Sequence, residues 1–498
     1  MNVGVFASKI LNMIAPNASS SSISELKSRL SGDITDGMTL RRLYATDASV
    51  YRELPSAVAF PKTEDDIREL IRFARENKHS LIPRTAGTSL AGQVVGGGIV
   101  VDISRHWNQI IEIDKDARIV RLQPGVIRDE LNLALKPHGL LFGPETSTSN
   151  RAMVGGMVGN NSCGSNSLVY GNTRDHLIAA KAILADGSLV EFKALDEKAF
   201  NAKCELTGLE GEIYRSIREQ LGNPELVSEI RERYPKPSIK RRNTGYALDQ
   251  LLECSPFTPG GPDFNYCRLI AGSEGTLCFL TELTFSLDPL PPEHSALICA
   301  HFDSVNESLR ANRVALRHQP RASELIDRII LECTKKNIGQ RKNRFFIEGD
   351  PGAILVIELA ADDEATLQTN LQALIDELKA EGLGYHYPVL RGADMPKIWD
   401  LRKAGLGLMS NLPGDAKPVA VVEDTAVDPQ ILPEYIEEYD RILEAMQLDS
   451  VYYAHAGSGE IHIRPVLNLK TETGQKQLRE VAEKVAALVK RYGGSLSG

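Results

Sequence analysis

Three glycine-rich stretches constrain the fold of this 498-residue chain more than any other feature: PRTAGTSLAGQ at 83–93, GPETSTSNRAMVGGMVGNNSCG at 143–164 and AGSEGTL at 271–277. Glycine permits positive φ and has no Cβ, so a ligand can come close to the backbone. Consecutive N–H groups in such loops form nests for anions such as phosphate. One such loop alone would be interpreted as a turn, but three in one α/β region predict a backbone-lined site for a large ligand.

Two common nucleotide motifs are absent from the sequence. No G-x-G-x-x-G follows a strand and no G-x-x-x-x-G-K-[ST] occurs, so neither a Rossmann site nor a P-loop is supported. The formal net charge of −9 disfavours a nucleic-acid binder, which needs clustered Lys and Arg. The short basic run at 240–242 is expected to be a solvated loop.

The seven cysteines are scattered and form no C-x-x-C pair, which excludes a disulfide framework, a zinc ribbon and an iron–sulfur binding run. They are expected to be mostly small buried residues in a protein of the reducing cytosol. No apolar run approaches the roughly 20 residues that cross a bilayer. The mildly amphipathic start, NVGVFASKILNMIAP, is predicted to be a docked helix and not a signal peptide.

The pattern of apolar residues predicts an α/β region followed by an α+β domain. Residues 1–50 are predicted to be helical and then irregular, with the SSSS run at 19–22 as a loop. A helix is predicted over 61–79, capped by Thr63 with Asp66 three residues later. The other predictions are strands at 80–83, 99–104 and 119–125, a helix at 128–138 ending at Gly139, a hairpin at 178–192 turning at Asp186-Gly187, and strand–turn–strand at 269–287.

Prolines 291 and 292 mark the predicted domain boundary. Beyond them, strands are predicted at 297–304, 353–360 and 451–456, with helices between them and another helix near 475–491. This pattern is typical of an antiparallel sheet in an α+β domain.

The stretch HAGSGEIH places two histidines, His455 and His462, on either side of a glycine turn. They could hold a metal or simply fill the fold, because histidine is both a common metal ligand and an ordinary buried residue. The glycines disfavour a helix. The alternation of Glu460, His462 and Arg464 with isoleucines predicts a half-buried strand, so strand–turn–strand would bring the two rings together.

The three glycine-rich stretches, together with QPGV at 123–126, occur in the order and spacing of a known family. Over about residues 45 to 498 the chain resembles an FAD-linked oxidase of the vanillyl-alcohol-oxidase superfamily, near the branch of D-lactate dehydrogenases, D-2-hydroxyglutarate dehydrogenases and the glycolate oxidase flavin subunit. The resemblance implies an α+β fold. Its parts would be an N-terminal helical extension (1–50), a PCMH-type FAD-binding domain of two α/β subdomains (51–289), and an α+β substrate or cap domain with an antiparallel sheet (290–498).

The resemblance also implies which residues line the cofactor, expected to be non-covalent FAD. Some members of the superfamily attach the flavin to a histidine of the first glycine-rich loop, and the loop at 83–93 contains none. This loop would cradle the pyrophosphate through Arg84, Thr85, Ala86, Gly87, Thr88, Ser89, Gly92 and Gln93. The ribityl chain and isoalloxazine would lie along Pro144, Glu145, Thr146, Ser149, Gly155, Gly156, Gly159, Asn160, Asn161, Cys163 and Gly164. The adenosine part and pyrophosphate would be closed in by Ile270, Glu274, Gly275 and Thr276. Cys163 is a conceivable attachment point, but a buried thiol is the preferred interpretation.

In the second domain the resemblance assigns the substrate and the metal. Arg402 and Lys417 match positions that grip the carboxylate of a 2-hydroxy acid, and a guanidinium suits that role. On sequence alone Arg402 would be interpreted as a surface cation. His455 and His462 match histidines that bind zinc or manganese beside the flavin, where the metal would lower the pKa of the substrate hydroxyl while hydride passes to the flavin.

Two features depart from the family pattern. Ser458 and Glu460 stand where the family turn carries Asp and Asn, and two histidines are few for a catalytic zinc site. The family phrase that resembles YGGSLSG is followed by Glu-His-Gly, but this sequence ends at Gly498. The chain is therefore expected to be a C-terminally truncated, poorly active fragment. The missing part would supply a metal-ligating Glu, a His base, a return segment and an iron–sulfur domain as a further option.

The resemblance favours an FAD-dependent dehydrogenase that oxidises a D-2-hydroxy acid of the D-lactate or D-2-hydroxyglutarate type to the 2-oxo acid. The alternative is a non-catalytic flavin carrier or assembly subunit of a glycolate-oxidase-like complex, and a third option is an NADPH-dependent reductase, which the paired histidines disfavour. The expected partners are a small anionic substrate and an electron acceptor, either a quinone, an iron–sulfur protein or a flavoprotein. Oligomerisation stays open. The expected location is cytoplasmic, with attachment to the inner membrane surface as the alternative.

Overall fold

The structure is a computed structural model that describes residues 20–243, 245–409 and 412–497. The predicted N-terminal helix before residue 20 lies outside the described residues. Among the described residues, no helix combines the length and the apolar character that a bilayer crossing requires. All seven cysteines are free, and four of them, Cys204, Cys254, Cys267 and Cys299, are buried as expected.

The first sheet has four strands in the order β1-β2-β4-β3, of which β2, β4 and β3 are mutually parallel. The strands and their helices are α1 (Ser20–Arg29), β1 (Asp33–Thr35), α2 (Met38–Leu43), β2 (Ala57–Phe60), α3 (Glu64–Asn77), β3 (Leu81–Arg84) and β4 (Ile99–Asp102). The predicted capping box of α3 is confirmed, since Asp66 N–H donates to Thr63 Oγ1 and the Asp66 carboxylate accepts from Thr63 N–H. The predicted serine loop is wrong, because α1 begins at Ser20 and continues through that run.

The second sheet is antiparallel, in the order β5-β6-β10-β8-β9. The predicted hairpin is confirmed as β8 and β9, with Gly187 at φ +88° in its turn. The elements of this region are β5 (Ile110–Asp114), β6 (Ile119–Leu122), α4 (Arg128–Leu135), β7 (Leu140–Leu141), α5 (Val154–Asn160), α6 (Ser167–Tyr170), α7 (Thr173–His176), β8 (Leu177–Ile183), β9 (Leu189–Lys193), α8 (Glu197–Cys204), α9 (Leu209–Leu221), α10 (Pro224–Arg233), α11 (Leu248–Leu252), α12 (Cys267–Ile270), β10 (Phe279–Ser286) and β11 (Asp288–Pro289).

The first half of the predicted strand–turn–strand at 269–287 is wrong. Residues Cys267–Ile270 form the short helix α12, and only Phe279–Ser286 form a strand. A short apolar run such as Leu269 to Ala271 cannot distinguish a buried helical turn from a buried strand by its pattern. Here Ala271 N–H donates to Cys267 O, which closes a helical turn.

The third sheet is the predicted antiparallel one. Its strands follow the order β15-β12-β14-β13-β18-β19-β16, and β17 also pairs with β19. Its elements are β12 (His294–Phe302), α13 (Val305–Arg317), β13 (Ala322–Asp327), α14 (Arg328–Lys336), α15 (Ile338–Arg341), β14 (Ala353–Ala361), α16 (Glu364–Ala380), β15 (Val389–Arg391), α17 (Met395–Met409), β16 (Lys417–Pro418), β17 (Val422–Ala426), α18 (Leu432–Ala445), β18 (Ser450–His455), β19 (Glu460–Leu467) and α19 (Glu472–Arg491). One apolar core lies on each face, because alternate side chains of a strand point to opposite sides.

The β18–β19 hairpin lies against the glycine-rich part of the chain. A Cβ added to Gly457 in its turn would come within 2.5 Å of Leu168 in α6. Arg321, which precedes β13, donates to the hydroxyl of Tyr170 at 2.8 Å. Lys403 of α17 pairs with Glu145 at 3.0 Å. These contacts place the face of the third sheet that carries the histidines next to the second glycine-rich stretch.

Candidate functional site

The β18–β19 hairpin brings His455 and His462 together, as the strand–turn–strand prediction required. His455 ends β18 opposite Glu460, and His462 lies opposite Tyr453. The two imidazole rings are 5.0 Å apart, centroid to centroid, and nearly perpendicular. Because both rings project from the same side of one hairpin, a single cation can reach both.

A bulge in the neighbouring strand β17 adds two carboxylates to the histidines. Val422 pairs with Ile463 and Thr425 with Ile461, so Glu423 and Asp424 together oppose the single residue His462. Asp424 takes φ +67°, a left-handed conformation that non-glycine residues rarely adopt and that functional sites often hold. Its Oδ1 contacts His462 Nδ1, and Glu423 Oε1 lies 3.7 Å from the same nitrogen. Because of the bulge, two consecutive acidic side chains lie beside His462 and not on opposite faces of the sheet, so both can act as ligands.

Two sets of possible metal ligands result, and His462 belongs to both. One set is His455, Glu460 and His462, and the other is Glu423, Asp424 and His462, with the ligand atoms of each set within 4.8 Å of one another. Nitrogen and carboxylate donors of this kind suit zinc or manganese. The donor set fits a divalent cation. It also corrects the expectation that the chain offers only two ligands, because carboxylates distant in sequence complete the group.

Glu460 is buried against Arg241, a residue that the sequence interpretation placed in a solvated loop. That expectation is wrong, since Arg241 is 3% exposed and its guanidinium contacts the Glu460 carboxylate. The same guanidinium donates to Gly164 O at 2.7 Å and to Ser167 Oγ at 3.1 Å. A basic run is solvated only when the fold provides no buried acid as its partner. Here the partner is Glu460, which lies too far along the chain to be recognised from the sequence. Arg241 therefore ties the glycine-rich wall to the histidine hairpin.

Arg402 is also buried and not a surface cation. It is 9% exposed, and its Nη2 lies 2.9 Å from Glu324 Oε2. Its guanidinium carbon sits 5.0 Å from the centre of the Tyr453 ring. Its Nε has no hydrogen-bond acceptor among the described residues. A buried guanidinium with an unsatisfied donor is well suited to receive an anion.

Burial and charge set the protonation of this group. Burial, reinforced by the nearby Arg241, His462 and Arg402, lowers the pKa of His455 well below its ordinary value, so this imidazole is neutral at neutral pH. Burial alone would raise the pKa of Asp424, but the adjacent His462 holds it below the ordinary range. A neutral imidazole beside an ionised carboxylate is the state in which both can ligate a cation.

Lys417 occupies a different place from the other predicted substrate residues. It lies in β16 opposite Leu467, at the far end of β19 from the histidines, and its Nζ donates to Leu412 O. Five residues of strand separate Leu467 from His462, which is about 17 Å between Cα atoms. Within the described part of the chain, no contact joins Lys417 to Arg402 or to either histidine. Its assignment as a substrate residue stays a prediction.

The first glycine-rich loop has the backbone geometry of an anion nest. Gly87 and Gly92 take φ of +66° and +77°. Within the described residues, the backbone N–H groups of residues 86–89 donate to no protein acceptor. Arg84 anchors the start of the loop, where its Nη1 donates to Thr46 O. Four adjacent free amides match what a pyrophosphate requires.

The second and third glycine-rich stretches face this loop and close on each other. A Cβ at Gly156 would lie 2.6 Å from Thr85 Oγ1, and one at Gly164 would lie 2.7 Å from Glu145 O. Glu274, at φ +55°, donates its N–H to Gly159 O at 2.9 Å. The three stretches thus form one continuous wall, with small residues where the segments approach most closely.

Most of the remaining predicted wall residues are held by hydrogen bonds or buried. Pro144 O accepts from Arg128, Ser149 Oγ donates to Asp129, Gln93 donates to Asn160, Asn161 accepts from Arg174 N–H, Thr276 donates to Ser273 O, and Ile270 is buried. Burial raises the pKa of the Cys163 thiol, which keeps it protonated and poorly nucleophilic. The wall is therefore preorganised and contains no activated thiol at Cys163.

The sequence interpretation missed Glu324, gave Glu423 and Asp424 no role in the site, and placed Arg241 in a solvated loop. Glu423 and Asp424 stand out in VVEDTAV as adjacent acids inside an apolar run, which was the available signal. Glu324 likewise stands beside the apolar pair Leu325-Ile326 in ASELID, a strand that is buried throughout. An acid within a buried strand costs free energy unless it is paired, so such positions suggest a site.

Comparison with known families matches both halves of the chain. Residues 55–193 match the family described as FAD binding domain, and residues 291–498 match the C-terminal domain of FAD linked oxidases. The first match contains two of the three glycine-rich stretches, and the second contains both histidines and Arg402.

Individual relatives agree with these matches. A D-2-hydroxyglutarate dehydrogenase of Pseudomonas putida is 34% identical over 98% of this chain and 49% of its own length. A D-lactate dehydrogenase of Anaerostipes hadrus is 25% identical over 89% of this chain and 80% of its own length. The chain spans about half the length of the D-2-hydroxyglutarate dehydrogenases that it matches. These alignments cover nearly all of this chain, and the expected truncation stays a prediction.

Solved structures show the same fold. The structure of p-cresol methylhydroxylase superposes with a TM-score of 0.64 at 14% identity, over 96% of this chain and 88% of that one. The predicted PCMH-type FAD-binding fold is confirmed. Both domain families are matched in the expected order, so the chain carries an FAD binding domain followed by the C-terminal domain of FAD linked oxidases.

Proposed function

We propose that this chain forms the flavin and substrate unit of an FAD-dependent dehydrogenase that oxidises a D-2-hydroxy acid to the 2-oxo acid. The observation that carries the proposal is the position of His455, His462 and their carboxylates against the glycine-rich wall. The relatives named as D-2-hydroxyglutarate dehydrogenases support a D-2-hydroxy acid as substrate. A protein that only carried flavin would have no use for a buried cluster of metal-ligating and cationic side chains.

FAD is proposed to bind non-covalently along the wall. The free amides of residues 86–89 would hold the pyrophosphate, and the close approach of Gly156 and Gly164 to neighbouring segments leaves a smooth surface for a planar ring. The protonated Cys163 thiol and the absence of histidine from the loop at 83–93 support non-covalent attachment. When bound, the flavin supplies the acceptor for the hydride of the substrate.

A divalent cation, zinc or manganese, is proposed to bind His455, His462 and the carboxylates beside them. His455 directs Nδ1 to Glu324, so Nε2 is the nitrogen left for the cation. A cation in this position polarises a hydroxyl and lowers its pKa. The neutral state of His455 and the ionised state of Asp424 leave lone pairs available to hold the cation or to accept the hydroxyl proton.

Arg402 is proposed to bind a carboxylate of the substrate. Its buried Nε lacks an acceptor, and its guanidinium lies over the Tyr453 ring, which itself stacks 4.4 Å from His462. A carboxylate on Arg402 would therefore hold the rest of a small acid near the histidines. The acceptor that reoxidises the flavin is proposed to be a quinone, an iron–sulfur protein or a flavoprotein. The proposed location is cytoplasmic, with or without attachment to the inner membrane surface.

The test is anaerobic titration of the FAD-loaded protein with D-2-hydroxyglutarate, D-lactate and glycolate in the presence of Mn²⁺, followed by flavin absorbance. We expect bleaching by at least one D-2-hydroxy acid and none by L-2-hydroxyglutarate. A His462→Ala variant that keeps its FAD serves as the matched control and should not bleach. If the FAD-loaded, metal-loaded wild-type protein is reduced by none of these acids, the proposal fails and a flavin-carrier role gains support.

A further inference from the structure

Glu324 is a buried acid that touches both halves of the candidate site. It is the third residue of β13, which is hydrogen-bonded to β14 on one side and to β18 on the other. Only 1% of the residue is exposed. The backbone of a central strand in an eight-stranded sheet cannot move away without disturbing two neighbours, so the Glu324 carboxylate stays within reach of both partners.

The two oxygens of Glu324 have two partners. Both lie 2.9 Å from Nδ1 of His455. Oε2 also lies 2.9 Å from Nη2 of Arg402. Among the described residues, no other carboxylate contacts both a candidate metal-ligating histidine, His455 or His462, and a predicted substrate-binding cation, Arg402 or Lys417.

We propose that Glu324 is a positioning residue that couples the metal ligand His455 to the carboxylate-binding Arg402. This inference rests on the proposed function, because it takes His455 as a metal ligand and Arg402 as a substrate contact. Glu324 itself reaches neither metal nor substrate. It acts through the two side chains that it holds.

The chemistry of each contact supports this role. A histidine that donates Nδ1–H to a carboxylate is fixed in one tautomer, and its Nε2 becomes a better donor to a metal. A guanidinium held on one edge by a carboxylate keeps its remaining N–H groups aimed in one direction, which for Arg402 leaves Nε unpaired. A stronger contact of Glu324 with Arg402 draws its carboxylate away from His455, and a stronger contact with His455 draws it away from Arg402. The metal affinity at His455 and the anion affinity at Arg402 are therefore linked, and the linkage is reciprocal.

The first test compares Glu324→Gln with Glu358→Gln. Glu358 is a matched control because it is a mostly buried acid on the adjacent strand β14, paired with Arg321 at 3.5 Å. Mn²⁺ binding to the FAD-loaded proteins is measured by the electron paramagnetic resonance signal of free Mn²⁺. Loss of the partner of a metal-ligating histidine weakens metal binding by about tenfold or more, so we expect that loss in Glu324→Gln and a change of less than about twofold in Glu358→Gln. Equal affinity in wild type and Glu324→Gln, with FAD content and melting temperature unchanged, would overturn the proposal.

The second test measures the coupling itself. Arg402→Met removes the guanidinium while retaining a long apolar side chain, and it releases Glu324 to interact fully with His455. We expect Arg402→Met to tighten Mn²⁺ binding in the wild-type background and to have at most about a third of that effect in the Glu324→Gln background, since only the long-range charge effect remains there. Equal effects in both backgrounds would mean that Glu324 transmits nothing between the two residues.

These measurements separate the inference from the function on which it rests. Kinetics of the two Glu→Gln variants add a readout that general destabilisation does not give: KM and kcat should both change in Glu324→Gln and neither in Glu358→Gln. If no D-2-hydroxy acid reduces the flavin but Glu324→Gln still weakens Mn²⁺ binding, the proposed function fails and the coupling stands. If the wild-type protein binds no Mn²⁺, the coupling is refuted whatever the substrate.

Discussion

The flavin wall and the histidine group are built in opposite ways. The wall consists of backbone amides and carbonyls in three short segments, with glycine at the points of closest approach. The histidine group consists of charged or titratable side chains, which are His455, His462, Glu324, Glu423, Asp424, Glu460, Arg241 and Arg402. Cofactor binding at the wall depends on the absence of side chains that would obstruct it, whereas ligand binding at the histidine group depends on the balance of its charges.

This difference determines how each region should respond to substitution. Small changes in the wall should alter cofactor affinity by steric obstruction and leave the chemistry of the other region intact. Changes to His462 or Arg402 should alter metal and substrate binding while FAD stays bound, because the partners of these two side chains among the described residues lie outside the wall. Each substitution below can break that separation.

The largest effect is expected for His462→Ala. His462 belongs to both candidate ligand sets, so its loss should abolish tight Mn²⁺ binding and slow flavin reduction on the order of a thousandfold, which corresponds to several kcal/mol of lost transition-state stabilisation. FAD content, measured from the absorbance ratio, should not change. His106→Ala, at an exposed position, is the control. Loss of FAD from His462→Ala would show that the two regions are not separable.

Arg402→Ala is expected to raise KM about a hundredfold, because a buried guanidinium paired with a carboxylate contributes a few kcal/mol. Lys417→Ala should change KM less than about threefold, since the Lys417 ammonium is engaged by Leu412 O at the far end of β19. Steady-state kinetics with a D-2-hydroxy acid and an artificial acceptor measure both. If the two variants lose equal affinity, Lys417 contacts the substrate and its place in the ligand-free structure is not the one used in turnover.

Gly159→Ala is expected to reduce FAD affinity by about tenfold without destabilising the protein. A Cβ at Gly159 would lie 3.8 Å from its nearest protein neighbour, Glu274 Cα, so the protein has room for it, and alanine favours the helix α5 more than glycine does. The melting temperature of the apoprotein should hold or rise while FAD affinity falls. Gly407→Ala, in α17 with open space around its Cβ position, should change neither quantity. Unchanged FAD affinity in Gly159→Ala would remove this residue from the wall.

The last prediction concerns the stability of the sheet beneath the histidine group as a function of pH, and no ligand binding. Burial raises the pKa of Asp327 to about 7, although its carboxylate accepts N–H bonds from Ile330 and Tyr452. In the unfolded chain the same group titrates near 4. The folded state therefore binds the proton more tightly, and the free energy of unfolding should fall as pH rises from about 4 to about 7 and level off above that. Urea unfolding at pH 5 and pH 8 should show this loss in wild type and not in Asp327→Asn. An equal pH dependence in both proteins would contradict it.

The sequence was most informative where the chain acts through its backbone. Glycines, caps and the 455–462 turn are local signals, so the capping box at Thr63, the hairpin at Gly187 and the strand–turn–strand of the two histidines were all predicted correctly. The charged network could not be predicted in the same way. Glu324, Asp424 and Glu460 reach the two histidines only because β13, β18, β19 and β17 lie side by side in a sheet whose strand order does not follow the sequence. Arg241 was wrongly predicted to lie in a solvated loop for the same reason, since its partner Glu460 belongs to the other predicted domain.

The turn of the histidine hairpin limits how this chain can change over evolutionary time. A Cβ at Gly459 would lie 1.9 Å from Val427 O, while the hydroxyl of Ser458 beside it donates to His455 O. An insertion or deletion of one residue in this turn would shift the register and carry His462 to the opposite face of the sheet. Natural variants should therefore keep the length of this turn and the glycine at 459, while position 458 drifts freely among small polar residues.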